Sequence, residues 1–190
     1  IVPYPRGLAP SQRFRFEQYF DILRDKRFDF EISSFWSKKA WAYLYQERNF
    51  IIKAYFLLTG YLKRLLLLGS VNRFDFIFIH REATPLGPPI IEFLIAKVFK
   101  KQLIYDFDDA IWLPNTSRQN KMAQNFKYHK KVNSICKWSW KVSCGNEFLA
   151  DFAKKYNRRV FINPTTIDTS YHHPKGSENI NSKIVIGWTG

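Results

Sequence analysis

The chain has 190 residues, 46% hydrophobic and 18% aromatic, which is enough apolar side-chain mass for a full core and argues against a disordered chain. Thirty Lys and Arg against sixteen Asp and Glu leave a formal charge of +14, favouring phosphate groups, acidic lipids or nucleic acid as partners without choosing among them. Cys136 and Cys144, with no CxxC spacing, do not imply a disulfide framework and read as reduced thiols of a cytoplasmic protein.

Ile1-Val2-Pro3 reads as the tail of a first strand whose beginning is absent. Ser11 is placed to cap a helix in which Phe16, Tyr19, Phe20 and Leu23 share one face and Arg13, Glu17 and Asp21 another. Residues 28–35 alternate as a strand does. A long helical region is expected over 38–68, with Gln46, Asn49, Lys53, Gly60 and Arg64 as its polar stripe. Its most apolar part, 50–68, contains Lys53, Lys63 and Arg64, a charge load that argues against a membrane span. The same mixture suits a helix lying on an acidic membrane surface or a buried core helix equally well.

Strands follow over 74–79, 102–105, 141–144 and 159–162, separated by helices over 88–99, 117–138 and 146–156. Strands alternating with helices of this length predict right-handed crossovers and a parallel sheet covered on both faces, a three-layer α/β Rossmann-like domain over residues 1–170. Residues 171–183 have linker composition, and 184–190, ending Ile186-Gly187-Trp188-Thr189-Gly190, read as the first strand of a further domain.

Loops at the carboxyl ends of parallel strands collect binding groups, so three segments are candidates. Asp106-Phe107-Asp108-Asp109 closes an apolar run and admits three chemistries: a DxD pair for Mg²⁺, the nucleophile and acid of a haloacid-dehalogenase-type phosphohydrolase, or a cleft wall accepting sugar hydroxyls. The phosphohydrolase motif calls for Thr or Val where Ala110 stands. His80-Arg81-Glu82 follows the 74–79 strand and projects toward the same cleft. In the loop Arg6-Gly7 through Ser11-Gln12-Arg13, with Arg15 beyond, a helix start and several arginines suit an anion, although neither GxGxxG nor GxxxxGK[ST] is present. Thr165 and Thr166 can line the cleft from the loop after the last strand. No RNP-like, KH or zinc signature accompanies the basic residues, which leaves a non-catalytic anion-binding module possible and nucleic acid disfavoured as its ligand.

Taken in order, these pieces resemble the N-terminal domain of a GT-B glycosyltransferase of the group 1 (family 4) type. They are Pro5-Arg6-Gly7 with 10–15, Ile79-His80-Arg81-Glu82, residues 105–112, Cys144-Gly145-Asn146-Glu147, residues 162–168 and Ile186-Gly187-Trp188-Thr189-Gly190. The resemblance implies transfer of a sugar from a nucleotide-sugar co-substrate to a glycan or lipid-linked acceptor, with retention and no essential metal or other cofactor. It implies donor-phosphate contacts from Arg6, Gly7, Ser11, Gln12 and Arg13, acceptor contacts from Arg81, Glu82, Asp106, Asp108, Asp109, Thr165 and Thr166, and His80 near the reacting sugar. It further implies a partner C-terminal domain carrying the donor site, and a cytoplasmic location peripheral to the inner face of the membrane.

Overall fold

The β-branched and aromatic runs in the second half of the chain find one another as a parallel sheet. The computed structural model describes residues 1–44, 46, 49–113 and 127–170. Strands β1 (Phe76–His80), β2 (Gln102–Phe107), β3 (Lys141–Cys144) and β4 (Val160–Ile162) pair in sequence order, all parallel. The crossovers that parallel pairing demands are α5 (Ile90–Phe93) with its π-helical extension Leu94–Val98, α6 (Lys131–Trp138) and α7 (Glu147–Lys154). Because side chains alternate along a strand, Ile77, Ile79, Leu103, Tyr105, Phe107, Val142 and Cys144 face one way and meet Ile91, Ile95, Val132, Ile135 and Leu149 in the main core. Tyr105 is fully buried, and its hydroxyl donates to Arg81 O at 2.7 Å, so no polar atom is stranded there.

Two extended segments continue the sheet past β1. His80 N donates to Ile1 O at 3.1 Å, while Val2 forms a parallel bridge to Ser34, with Val2 N on Ser33 O and Phe35 N on Val2 O, each at 2.9 Å. Across the molecule the order is therefore 33–35, 1–3, β1, β2, β3, β4, and it reverses direction between residues 1–3 and β1. Loops leaving the two sides of such a reversal diverge, and a crevice opens between them at the carboxyl end.

Several expected elements are shorter than their periodicity suggested. The helix expected to start at Ser11 begins at Pro10, with Ala9 in the cap position, as α1 (Pro10–Arg15); a 3₁₀ turn Glu17–Tyr19 and α2 (Phe20–Asp25) follow. Phe16 breaks the run at φ −148°, which lets its ring sit edge-on to Phe78 and His80 at 5.4 and 5.3 Å, covering the second face of the sheet. The strand expected over 28–35 reduces to the bridge at Ser34, because Phe30 stacks on Phe20 at 4.6 Å instead of entering a ladder. The 38–68 helix is two, α3 (Lys38–Leu44) and α4 (Phe50–Leu68), with Asn49 left-handed at φ 70° before the second. Of the helix expected over 117–138, Lys131–Trp138 is helical; 114–126, the linker and the final strand lie outside the described residues. Asn146 does cap α7, its side chain accepting from Leu149 N at 3.0 Å.

The inward side of α4 carries Gly60 and Arg64. Gly60 admits the Phe35 ring so closely that an added Cβ would stand 2.5 Å from its tip. Arg64, fully buried, donates to Ala83 O, Ser33 Oγ and Val2 O at 2.7, 2.7 and 2.9 Å, tying the extended segments to the loop after β1. Burial lowers its pKa to about 10, partly offset by Glu92, and the guanidinium remains charged at neutral pH. Among the described residues no helix is long and apolar enough to cross a membrane.

Candidate functional site

The carboxyl ends of β1, β2 and β3 put His80, Asp106 and Ser143 side by side, since His80 registers with Asp106 and Asp106 with Ser143. All three project onto the face that α1 covers, and α1 inserts Arg15 among them. Asp106 accepts from Arg15 through both oxygens (Nε at 3.0 Å to Oδ2, Nη2 to Oδ1), from Ser143 Oγ at 2.7 Å and from His80 Nδ1 at 2.7 Å. Those four donors occupy every lone-pair direction of the carboxylate. Burial alone would raise the Asp106 pKa, but the His80 and Arg15 hydrogen bonds and charges win and hold it at about 2. Conversely, burial disfavours the Arg15 cation, and Asp106 more than compensates, so the Arg15 pKa rises. Because Asp106 is ionised and can only accept, His80 Nδ1 is the donor in the bond between them. His80 Nε2 has no hydrogen-bond partner, the nearest carboxylate oxygen being Asp108 Oδ1 at 3.9 Å.

Arg15 also reaches forward to the loop after β4, donating through Nη1 to Asn163 O at 2.6 Å and to Thr165 Oγ1 at 3.4 Å. One buried cation thereby fixes the first helix, the middle strands and the last loop against one another. Gly145, just past β3, makes the approach possible: a Cβ there would lie 3.2 Å from Asp108 Cα and 3.4 Å from Arg15 Nη1.

Above this buried layer lies the cleft, about 500 Å³, at the reversal of strand order. Ser11, Arg81, Asp108 and Thr165 supply its polar wall, and Tyr4, Phe14 and Trp41 its aromatic wall. Tyr4 and Trp41 meet edge to face at 4.9 Å. Arg81 stands in the left-handed region at φ 59°, uncommon for a residue with a side chain, held by Arg81 N on Asp106 O at 2.7 Å and Glu82 N on His80 O at 2.7 Å. Its guanidinium donates through Nε to Asp108 Oδ1 at 2.8 Å and through Nη2 to Asp109 Oδ2. Burial opposes that charge, and the two carboxylates overcome it and raise the Arg81 pKa. What faces the cleft is thus a fixed arginine–aspartate pair beside aromatic rings.

The residues singled out from sequence divide accordingly. Ser11, Arg81, Asp108 and Thr165 come together on the cleft wall, with Asp109 exposed at its rim. Asp106, expected among the acceptor contacts, is buried and saturated. His80, expected near the reacting sugar, is likewise wholly buried, beneath Phe16 and outside the cleft lining. Glu82 turns away and pairs with Lys131 at 2.7 Å. Gln12 is buried, its amide exchanging hydrogen bonds with Tyr4 N and Tyr4 O at 2.9 and 3.1 Å. Gly7, at φ 80°, spends its N–H on Glu17 Oε2 at 2.8 Å, so a carboxylate of the protein itself occupies that amide. Arg6 and Arg13 are exposed and lie over the Phe20 and Phe14 rings at 5.2 and 5.3 Å. Thr166 bonds to the Tyr19 hydroxyl, and its carbonyl accepts from Gln18 at 3.0 Å.

Sequence reasoning placed Arg15 in an exposed basic field and gave no role to Ser143, Trp41, Phe14 or Tyr4. The spacing of Gln12 and Arg15, i and i+3 on a short helix, was the one available signal that both point inward. Trp41, on α3, is brought in from a distance no local pattern encodes. Among the described residues no group of three or more His, Cys, Asp or Glu side chains is arranged to hold a metal ion. Comparison of the chain with protein-family models, with curated proteins and with solved structures finds no match.

Proposed function

We propose that this chain is the acceptor-side, Rossmann-like half of a GT-B glycosyltransferase, a retaining enzyme that moves a sugar from a nucleotide-sugar to a glycan or lipid-linked acceptor. The observation that carries the reading is the cleft at the reversal of strand order, where Tyr4, Phe14 and Trp41 face the Arg81–Asp108 pair. Sugars present apolar C–H faces and hydroxyl edges; aromatic rings take the first, and a carboxylate held by an arginine accepts from the second. The motif order that resembles the family supports the same assignment. On this reading the opposite wall of the crevice belongs to a donor-binding domain following residue 183, which also supplies most of the stabilisation of the leaving nucleoside diphosphate.

The phosphohydrolase alternative fits less well. A nucleophilic aspartate needs a free oxygen in line with the phosphorus, and Asp106 has both oxygens committed to Arg15, His80 and Ser143.

The test extends the coding sequence through its downstream reading frame and supplies the longer protein with labelled nucleotide-sugars and a membrane or glycan fraction. Label is expected in the acceptor fraction with the anomeric configuration retained. Trp41→Ala and Asp108→Asn are each expected to lower turnover by about tenfold or more, as loss of a positioning contact does. Failure to transfer from any donor in the panel, or full activity in both variants, overturns the proposal.

A further inference from the structure

The helix α4 is apolar on both its inward and its outward side. Its inward side packs Phe56, Leu57 and Tyr61 against the Phe35 and Trp36 core beside Gly60 and the charged Arg64, while Ile51, Tyr55, Leu58, Leu62 and Leu66 follow one another at spacings of three and four along the outward side, with Leu65 next to them. Ile51 is 87% exposed and Leu66 71%, and no charged residue interrupts the row. At about 1.5 Å per residue the stretch from Ile51 to Leu66 presents this row over about 23 Å. Contiguous apolar surface of that extent marks a contact with something other than solvent.

Charge decides what the contact is. Between residues 38 and 73 the sequence carries seven Lys and Arg and one acid, Glu47. Lys38 and Lys39 are exposed on α3, which packs against α4, and Lys63 is exposed on α4 itself. Docking of two copies through this row would press two basic rims together on chains of +14 each, whereas an anionic surface meets apolar and cationic groups at once. We infer that α4 lies flat in the interface of an acidic lipid bilayer, its outward row among the acyl chains and Lys38, Lys39 and Lys63 at the headgroups. A helix lying flat engages the one leaflet it meets, and among the described residues no helix is long and apolar enough to cross a membrane. The inference does not rest on the glycosyl-transfer reading.

The test uses the whole 190-residue chain in flotation with vesicles of phosphatidylcholine alone and of phosphatidylcholine mixed equally with phosphatidylglycerol, at low and high salt. Wild type is expected to bind the acidic vesicles about tenfold or more tightly than the neutral ones, and to weaken as salt rises. Leu58→Glu with Leu62→Glu changes two exposed positions that support nothing in the interior, and is expected to leave the thermal unfolding curve in place while reducing binding about tenfold or more. Lys38→Gln with Lys39→Gln is expected to narrow the gap between acidic and neutral vesicles. Equal binding by wild type and the Leu58/Leu62 variant, no binding by wild type to either vesicle, or equal binding to both kinds overturns the inference. So does a wild-type dimer in sedimentation velocity that the Leu58/Leu62 variant dissociates without any vesicle binding, which would make a second copy the occupant.

Discussion

Asp106→Asn keeps the shape of the buried hub and removes its charge. Arg15, 4% exposed, would then keep only Asn163 O, the two hydroxyls of Thr165 and Ser143 and a neutral amide for company. Breaking a buried pair from one side costs about 3–5 kcal/mol, because the surviving charge is stranded. Proton linkage gives an independent bound. The folded pKa of about 2 lies below the ordinary 3.8, so the group contributes stability above the unfolded value and loses it as pH falls through the folded one. At about 1.4 kcal/mol per unit that contribution is about 2 kcal/mol above pH 5, about 1 kcal/mol at pH 3 and under about 0.5 kcal/mol at pH 2. Urea unfolding followed by tryptophan fluorescence, on wild type and variant at pH 7, 5 and 3, measures both quantities. The variant should be less stable by about 3–5 kcal/mol at pH 7, and its deficit should shrink by about 1 kcal/mol between pH 5 and pH 3. A deficit below about 1 kcal/mol at pH 7, or one that stays constant across the acid range, would refute the account of Asp106 as an ionised hub.

Gly60→Ala gains about 1 kcal/mol of helix propensity but drives a methyl group into the Phe35 ring, which Trp36 and Tyr61 hold from other sides. Overpacking of about 1–3 kcal/mol is expected to win, and in a Phe35→Leu background the same substitution should cost nothing further; additive costs in the double-mutant cycle would contradict the packing argument. Burial raises the Cys136 thiol pKa and brings that of Cys144 up to about 12, so a thiol reagent at pH 8 should find neither in the folded protein and both in urea. Rapid native labelling would show that one of them is open to solvent.

Local sequence went far in some places. The strands at 76–80, 102–107, 141–144 and 160–162 were legible because parallel strands of a covered sheet are short apolar runs bounded by turns, and the Asn146 cap because its chemistry lies within three residues of the N–H it accepts from. Phe28, Phe30 and Ile32 misled for the opposite reason: alternation records which side chains seek cover, and Phe30 found it on Phe20 without joining a ladder. The apolar row on α4 was equally visible in sequence, but whether it faced a core or the outside was not, since periodicity is the same in either case.

What the sequence by itself determined is the class of fold and the end of the sheet at which the candidate site residues gather. Both follow from the alternation of strands and helices and from the handedness of parallel crossovers. Only the tertiary structure decided the roles within that end. Asp106, Asp108 and Asp109 are near neighbours in sequence, yet one is sealed in an ion pair, one lines the cleft and one lies at its rim. The difference comes from the strand ending at Phe107, which leaves Asp108 and Asp109 in the loop beyond it where Arg81 takes them, and from Arg15, 91 residues away, whose guanidinium meets Asp106 inside the strand.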